Sequence, residues 1–521
     1  MNTFLHPIQR MKYVYLCLCI LPLVSCGGEK KSKRQQVIVN EENETRRNYA
    51  PIPNTFLAAD EYAVTQVNLA QTNAFSAPID TGTFSVELTR ENQVLSGVVN
   101  VATLAADNAN YMWAISTDRF TYLNVNEGNF MPTRSFYKYP DNEAFAVEKH
   151  KEALQHDFSS IDAVKKSVVA VYGTSPEKRL HFGTVAVCDK SNQCFINNGT
   201  QVSCLDQGGG FRRTLNLIGT VPNPTNIVGL GITYDGMLVF AAHTYVGVVD
   251  RNFETEPIIF HLGSGEVCTN SLCIDEHNGI YIVSNKLVRK LVWTGETLSD
   301  NTADGAWTSP YKTGSKGAAS SPSLLGFDAS QDKLVLIVDG ENNLVALWRG
   351  DLPAQKTSRI AQEIPLSFAA ANQKPVTAAG LAVHNNGVFV ANNSLYTNSG
   401  DAIVDAIAVV LGNSAQGCER FEWNTAAKQF VSVFANSSIR TATMKPAVST
   451  TSNIVCVNGF YPETGWEITG LDWNSGNIVH RTLLGKNNFG NAAFATLQFF
   501  HNGDMLFNSI AGPARLQLQN H

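Results

Sequence analysis

In this chain of 521 residues, polar side chains recur where apolar runs finish: His243, Glu266, Asn270, Asn285, Asp339, Asn392, Asn393, Asn458 and Asn508. Carboxylate, amide and imidazole groups brought together could hold a hard cation, and oxygen-rich sets favour Ca2+. The same groups could contact a ligand directly. They could also serve turns, because Asn and Asp hydrogen-bond nearby backbone at strand ends. Other chemical signatures are absent. There is no G-x-S-x-G elbow, no H-E-x-x-H, no phosphate-binding G-x-x-x-x-G-K-[ST] and no EF-hand loop. Gly208, Gly209 and Gly210 lack dinucleotide spacing and read as a flexible turn. Asp328 and Asp332 flank another turn, where carboxylates usually cap amides.

A repeated hairpin must position these residues. Residues 229–242 (GLGITYDGMLVFAA) are answered by 271–285 (SLCIDEHNGIYIVSN), 324–339, 380–392 (GLAVHNNGVFVAN) and 496–508 (TLQFFHNGDMLFN). Each copy is an alternating strand, a polar turn and a β-branched or aromatic second strand, which is hairpin chemistry. The turns step by 43, 54 and 54 residues and then by 116, twice 58, with a degenerate copy at 452–459 inside that gap. Third strands are visible at 246–250, 288–293, 344–348 and 466–473, where Trp293, Trp348, Trp466 and Trp473 read as packing between blades. Steps of this size, with several strands each, predict an all-β fold: a β-propeller of six to eight four-stranded blades. Six fit into 226–518. In such a ring the polar strand ends converge near the central channel. His384 and His501 fall in turns and should be exposed. Asp141–His156 is the one helix of note, capped by Asp141.

Two family resemblances follow from these segments. Residues 466–479 (WEITGLDWNSGNIV) resemble the aspartate–turn–glycine signature of quinoprotein-like propellers. The Gly-Leu-x-Ile-x-x-Asp-Gly pattern at 229–236 is similar to six-bladed propellers of the gluconolactonase/TolB-like group. Likeness to metal-dependent lactonases implies calcium held by Glu266, Asn270, Asp339 and Asn393, polarising a carbonyl, with His243 as general base. Asn285, Asn392, Asn458 and Asn508 then stand as ligand-contact positions. A quinone-dependent dehydrogenase is the third implication. Against it, the tryptophan that closes a quinoprotein blade is missing from most copies.

The first fifty residues speak of location. Lys12 precedes a twelve-residue apolar run, Tyr13–Val24, too short for the roughly 20 residues of a membrane span and fitting a secretory signal. Leu23-Val24-Ser25-Cys26 resembles the lipobox of bacterial lipoproteins. That resemblance implies a lipid on Cys26, which anchors the chain to a membrane, and Gly27 rather than Asp after it implies the outer membrane. The organisation expected is a signal over 1–26, a polar tether over 27–54, an N-terminal β region over 55–225 and propeller blades over 226–518. The β region would supply one or two further blades or a separate module. Behind Cys26 lie seven cysteines; Cys188/Cys194 and Cys268/Cys273 are close enough in sequence to bridge, and Cys204 is a candidate free thiol. With 16% charged residues and a net charge of −6, the chain lacks the basic footprint of a nucleic-acid binder. Two function classes remain: a tethered propeller binding a small molecule or protein, and a hydrolase with a channel-bound cation.

Overall fold

The hairpins close through turns that need a left-handed residue. Asn278, Asn385 and Asn453 hold φ of 59°, 54° and 51°, and Gly236 and Gly503 hold 94° and 89°. Asn and Gly adopt that conformation at least cost. A computed structural model describes residues 50–518 apart from 59–60, 89–100, 105–110, 117–118, 125–130, 138–146, 156–157, 174–181, 207–210, 315–316, 319, 369–379, 395–398 and 412–413. Cys26, the signal, most of the tether, the Asp141 cap and the glycine cluster at 208–210 lie outside the described residues.

Eight antiparallel meanders follow one another: blades I (101–137), II (182–216), III (227–261), IV (273–310), V (323–365), VI (382–441), VII (447–485) and VIII (497–516). The first seven have four or more strands, and blade VIII has three. The fold is thus a propeller with seven full blades and a three-stranded sheet completing the ring. Apolar clusters fill each seam, such as Trp113 and Ile115 of blade I against Cys188 and Ile196 of blade II. Ala102 and Met112 of blade I pack on Leu506 of blade VIII, which closes the circle. Closure of this kind leaves only short protected edges.

Each blade runs from an inner strand to an outer one. Antiparallel order therefore sorts the connections onto two faces. The links between blades, such as 262–272, 442–446 and 486–496, share a loop face with the turns joining second to third strands. The turns joining first to second strands form the opposite, turn face. Among the described residues no helix is long and apolar enough to cross a membrane.

The tryptophans obey the repeat more closely than their spacing suggested. Trp293 and Trp348 end the third strands of blades IV and V, Trp423 is the penultimate residue of that of blade VI, and Trp473 follows that of blade VII. Third-strand ends are tied back to the turn of their own blade: Trp293, Trp423 and Trp473 donate backbone N–H to Asn278, Asn386 and Asn453 carbonyls at 2.8–3.0 Å. Two indoles also clamp the preceding blade, Trp293 Nε1 on Asp235 Oδ2 and Trp423 Nε1 on Asp332 Oδ2, each at 2.9 Å. The closing tryptophan is thus present in four consecutive blades. Trp423 is the one the spacing did not show, because the link before its strand is long.

Helices differ from expectation. Val147–Gln155 is helical, but so are Ile161–Tyr172 and Ala402–Ile407. The stretch 167–172 (SVVAVY) reads as strand by its β-branched residues. It is the second half of a helix capped by Ser160, which accepts from Ala163 N at 3.3 Å. Val164, Val168 and Val171 bury one face in a shared core with Ile403, Ile407 and Phe489, and packing overrides local propensity.

Candidate functional site: a filled channel and the loop face

The centre of the ring is occupied by the chain itself. Residues 63–75 pass along the inner edges of successive blades. On blade II, Cys188 N donates to Ala63 O at 2.7 Å and Thr65 N to Ala186 O at 3.2 Å. Leu69 O then accepts from Ile274 of blade IV, Ala70 O from Leu324 of blade V, Thr72 O from Val383 of blade VI and Asn73 O from Val448 of blade VII, all at 2.8–2.9 Å. Ala74–Phe75 (β1) pairs in parallel with the inner strand of blade VII, and Gly82–Ser85 (β2) pairs in parallel with its outer strand. One N-terminal segment so brackets both edges of that sheet. Side chains add to the grip: Asn73 Nδ2 reaches Leu381 O at 2.8 Å, and the Tyr62 hydroxyl reaches Phe499 O of blade VIII at 2.7 Å. Residues 62–73 and Phe75 are buried.

The nine polar strand-end residues lie on or beside the loop face, and each is engaged locally. His243 is half-buried in a turn of blade III; its N–H donates to Asn226 O at 3.3 Å and its carbonyl accepts from Cys268 N at 2.8 Å. Glu266 is buried, and its Oε2 accepts from Arg289 at 2.9 Å and from Gly263 N at 3.1 Å. Asn270 Nδ2 donates to Ala318 O at 3.2 Å, and the exposed Asn285 accepts from Val267 N at 2.8 Å. Asp339 closes its own turn, accepting through Oδ1 from Glu341 N and Asn343 N, and through Oδ2 from Asn343 Nδ2, each at 2.8 Å. Burial pushes the Asp339 carboxyl upward despite those bonds.

The remaining amides brace backbone. Asn392 donates to Gln416 O at 2.8 Å, and Asn393 donates to the Ala442 and Met444 carbonyls. Asn458 donates to Glu467 O and Gly490 O and accepts from Ala492 N, all at 3.0–3.1 Å. Asn508 donates to Thr496 O at 3.0 Å. Among the described residues no three His, Cys, Asp or Glu side chains gather as a metal site. Each candidate thus has a local partner, and Glu266 Oε1 and Asn508 Oδ1 are buried with no hydrogen-bond partner among the described residues. Asp332, in the turn singled out beside Asp328, takes Lys428 Nζ at 2.7 Å as well as the Trp423 indole. His384 is half-buried rather than exposed, bonded to Asn453 Oδ1 at 3.0 Å and packed on Trp473; His501 is exposed.

Asp339→Asn keeps an oxygen for the two turn amides but sets a donor against Asn343 Nδ2, so it should cost about 1–3 kcal/mol of unfolding stability. EDTA should leave the thermal midpoint of both proteins unchanged. A wild-type midpoint that falls with EDTA, while that of Asp339→Asn does not respond, would support a calcium role.

One loop-face residue carried no sequence signal. Lys445 lies in the link between blades VI and VII, beside the two carbonyls that hold Asn393, and its N–H donates to Ala495 O at 3.2 Å. The side chain is half-buried, and burial pushes its amine down to about 8.

No protein-family profile matches the chain. An uncharacterized protein of Archaeoglobus fulgidus is 29% identical over 318 residues, which is 56% of this chain and 60% of that protein's length. Among solved structures, virginiamycin B lyase of Staphylococcus aureus is similar at 12% identity and TM-score 0.36, over 63% of this chain and 92% of that one. Sqt1 of Saccharomyces cerevisiae is similar at 10% identity and TM-score 0.38, over 61% and 77%. A functionally unknown protein of Desulfotomaculum acetoxidans gives 9% and 0.39, over 78% and 99%. Likeness at these identities concerns fold alone.

Proposed function

We propose that this chain is a lipid-anchored, extracytoplasmic propeller of the outer membrane that binds a small molecule or a protein on its loop face. The observation that carries the reading is the filled channel. A propeller whose centre holds residues 63–75 offers ligands its faces, and the loop face carries the variable links, the helix Ala402–Ile407 and Lys445. The lipobox-like block at 23–26 supports the anchor, and lipid on one cysteine tethers a body without making it span the bilayer.

Cys26→Ser should abolish acylation, read by lipid labelling, and move the chain from the membrane to the soluble fraction. A Cys26→Ser chain that stays with membranes, or a wild type that takes up no lipid, would sink the anchor. In the released form, amine labelling of Lys445 with and without envelope extract reads occupancy of the loop face. Unchanged labelling would count against binding there.

A further inference from the structure

Cys188 ends the first strand of blade II and Cys194 opens the second, and the two are direct partners in the antiparallel register. The backbone of Cys188 is turned away from that partner, donating to Ala63 O at 2.7 Å and accepting from Ala58 N at 3.0 Å. The pair therefore occupies a non-hydrogen-bonded site of the ladder, where facing Cα atoms stand about 4.5 Å apart. That falls inside the roughly 4.4–6.8 Å that a disulfide spans.

Both side chains enter one apolar cluster between blades I and II, beside Trp113, Ile115 and Phe120, so they lie on the same side of the sheet. Both are fully buried, and the structure holds them as free thiols. Burial raises the Cys194 thiol strongly, and a hydrogen bond with Cys188 raises it further. The other cysteines are not so placed. Cys204 points into the cluster between blades II and III. Cys268 and Cys273 belong to two different cores, which separates a pair that sequence distance alone would join. Among the described residues no other two cysteines are partners in register.

We propose that Cys188 and Cys194 form a cross-strand disulfide, made while blade II folds, that locks the hairpin on which Ala58, Ala63 and Thr65 rest. The oxidant is a disulfide, small or protein-borne. One cysteine thiolate attacks it, giving a mixed disulfide and releasing one thiol. The second thiolate then displaces the other thiol, so two cysteines lose two protons and two electrons and one external disulfide becomes two thiols. Once the seam closes, burial removes the pair from exchange, so the bond must precede packing.

The test is independent of where the protein resides. The full chain is unfolded, reduced, and refolded in a buffer of reduced and oxidised glutathione. It is then denatured and alkylated for mass analysis. The result expected is two fewer alkylated thiols, a loss of two hydrogens, and peptides on either side of Lys190 that stay linked after trypsin. Cys188→Ser and Cys194→Ser should each abolish the linkage, and Cys204→Ser should retain it. Adding reductant before unfolding should lower the thermal midpoint of the wild type but not of Cys188→Ser. Folded wild type with every thiol alkylated, or a linkage through Cys204, would overturn the proposal; the wild-type thiol count decides even if a serine variant does not fold.

Discussion

A chain lacking residues 50–75 should fail to fold rather than open a channel. Five blades lose a backbone partner on their inner strands, and a buried N–H or C=O left unpaired costs roughly 1–3 kcal/mol. Net stability is only about 5–15 kcal/mol. Leu69 and Phe75 also leave apolar surroundings, and Ala70 leaves the seam of blades IV and V. The segment itself is held under strain: Val67 has φ of 79°, a left-handed conformation that costs a β-branched residue about 1–3 kcal/mol. Such a conformation persists only because the surrounding edges fix it. Leu69→Asp is the milder variant, placing a charge where 4% of the side chain is exposed, and it should lose most of the cooperative transition. Far-ultraviolet dichroism, thermal melting and limited proteolysis read both variants. A peptide covering 50–88, added during refolding, should restore protease resistance to the truncated chain. If the truncated chain stays soluble and melts cooperatively within a few degrees of the full one, water has replaced the segment and the channel is a usable cavity.

How much of this was legible in the sequence depends on how local the signal is. The hairpins at 229–242 and 380–392 announce themselves, because alternation and a turn residue such as Asn385 act within a dozen positions. The strand-end amides were equally visible, but their partners were not. Asn458 answers Gly490 and Ala492, and Asn393 answers Ala442 and Met444; those carbonyls and amides come from links between blades and leave no mark near the amide. The channel segment is the extreme case. Leu69, Ala70, Thr72 and Asn73 bond to four different blades, and Gln71 turns back to Asn68 and to Ser323 of blade V, so no ladder runs along this stretch and no period of two develops. Its sequence, AVTQVNLAQTNAF, passes for ordinary strand. Trp423 was hidden for another reason: it lies 30 residues beyond Asn393, which follows the second strand of its blade, past the inserted helix Ala402–Ile407.

Glu276→Gln should cost about 2–3 kcal/mol at neutral pH and flatten the acid side of the stability profile. Glu276 sits in the first turn of blade IV, 2.6 Å from Lys333 Nζ and 3.1 Å from Arg349 of blade V. Burial alone would raise its carboxyl; the two cations overrule it and bring it from 4.5 to about 2. Breaking one member of a buried pair costs roughly 3–5 kcal/mol, because the other charge is stranded. Arg349 is 2% exposed, but it keeps the Gly326 carbonyl and the Phe327 ring. Lys333, at 29% exposed, regains water, which brings the expected loss below that range. The sign follows from the depressed value: the stabilisation is complete above 4.5 and is lost as pH falls toward 2. Urea midpoints across that window should therefore fall more steeply for wild type, and the two profiles should converge at the acid end. Parallel profiles would mean that Glu276 contributes no linked charge. The site also explains a break in the seam pattern. Blades IV and VI answer a turn aspartate of the preceding blade with an indole, through Trp293 and Trp423. The Trp348 indole of blade V finds no acceptor. The next residue, Arg349, answers Glu276 instead, so the contact between blades IV and V is made by charge where blades IV and VI use a neutral donor.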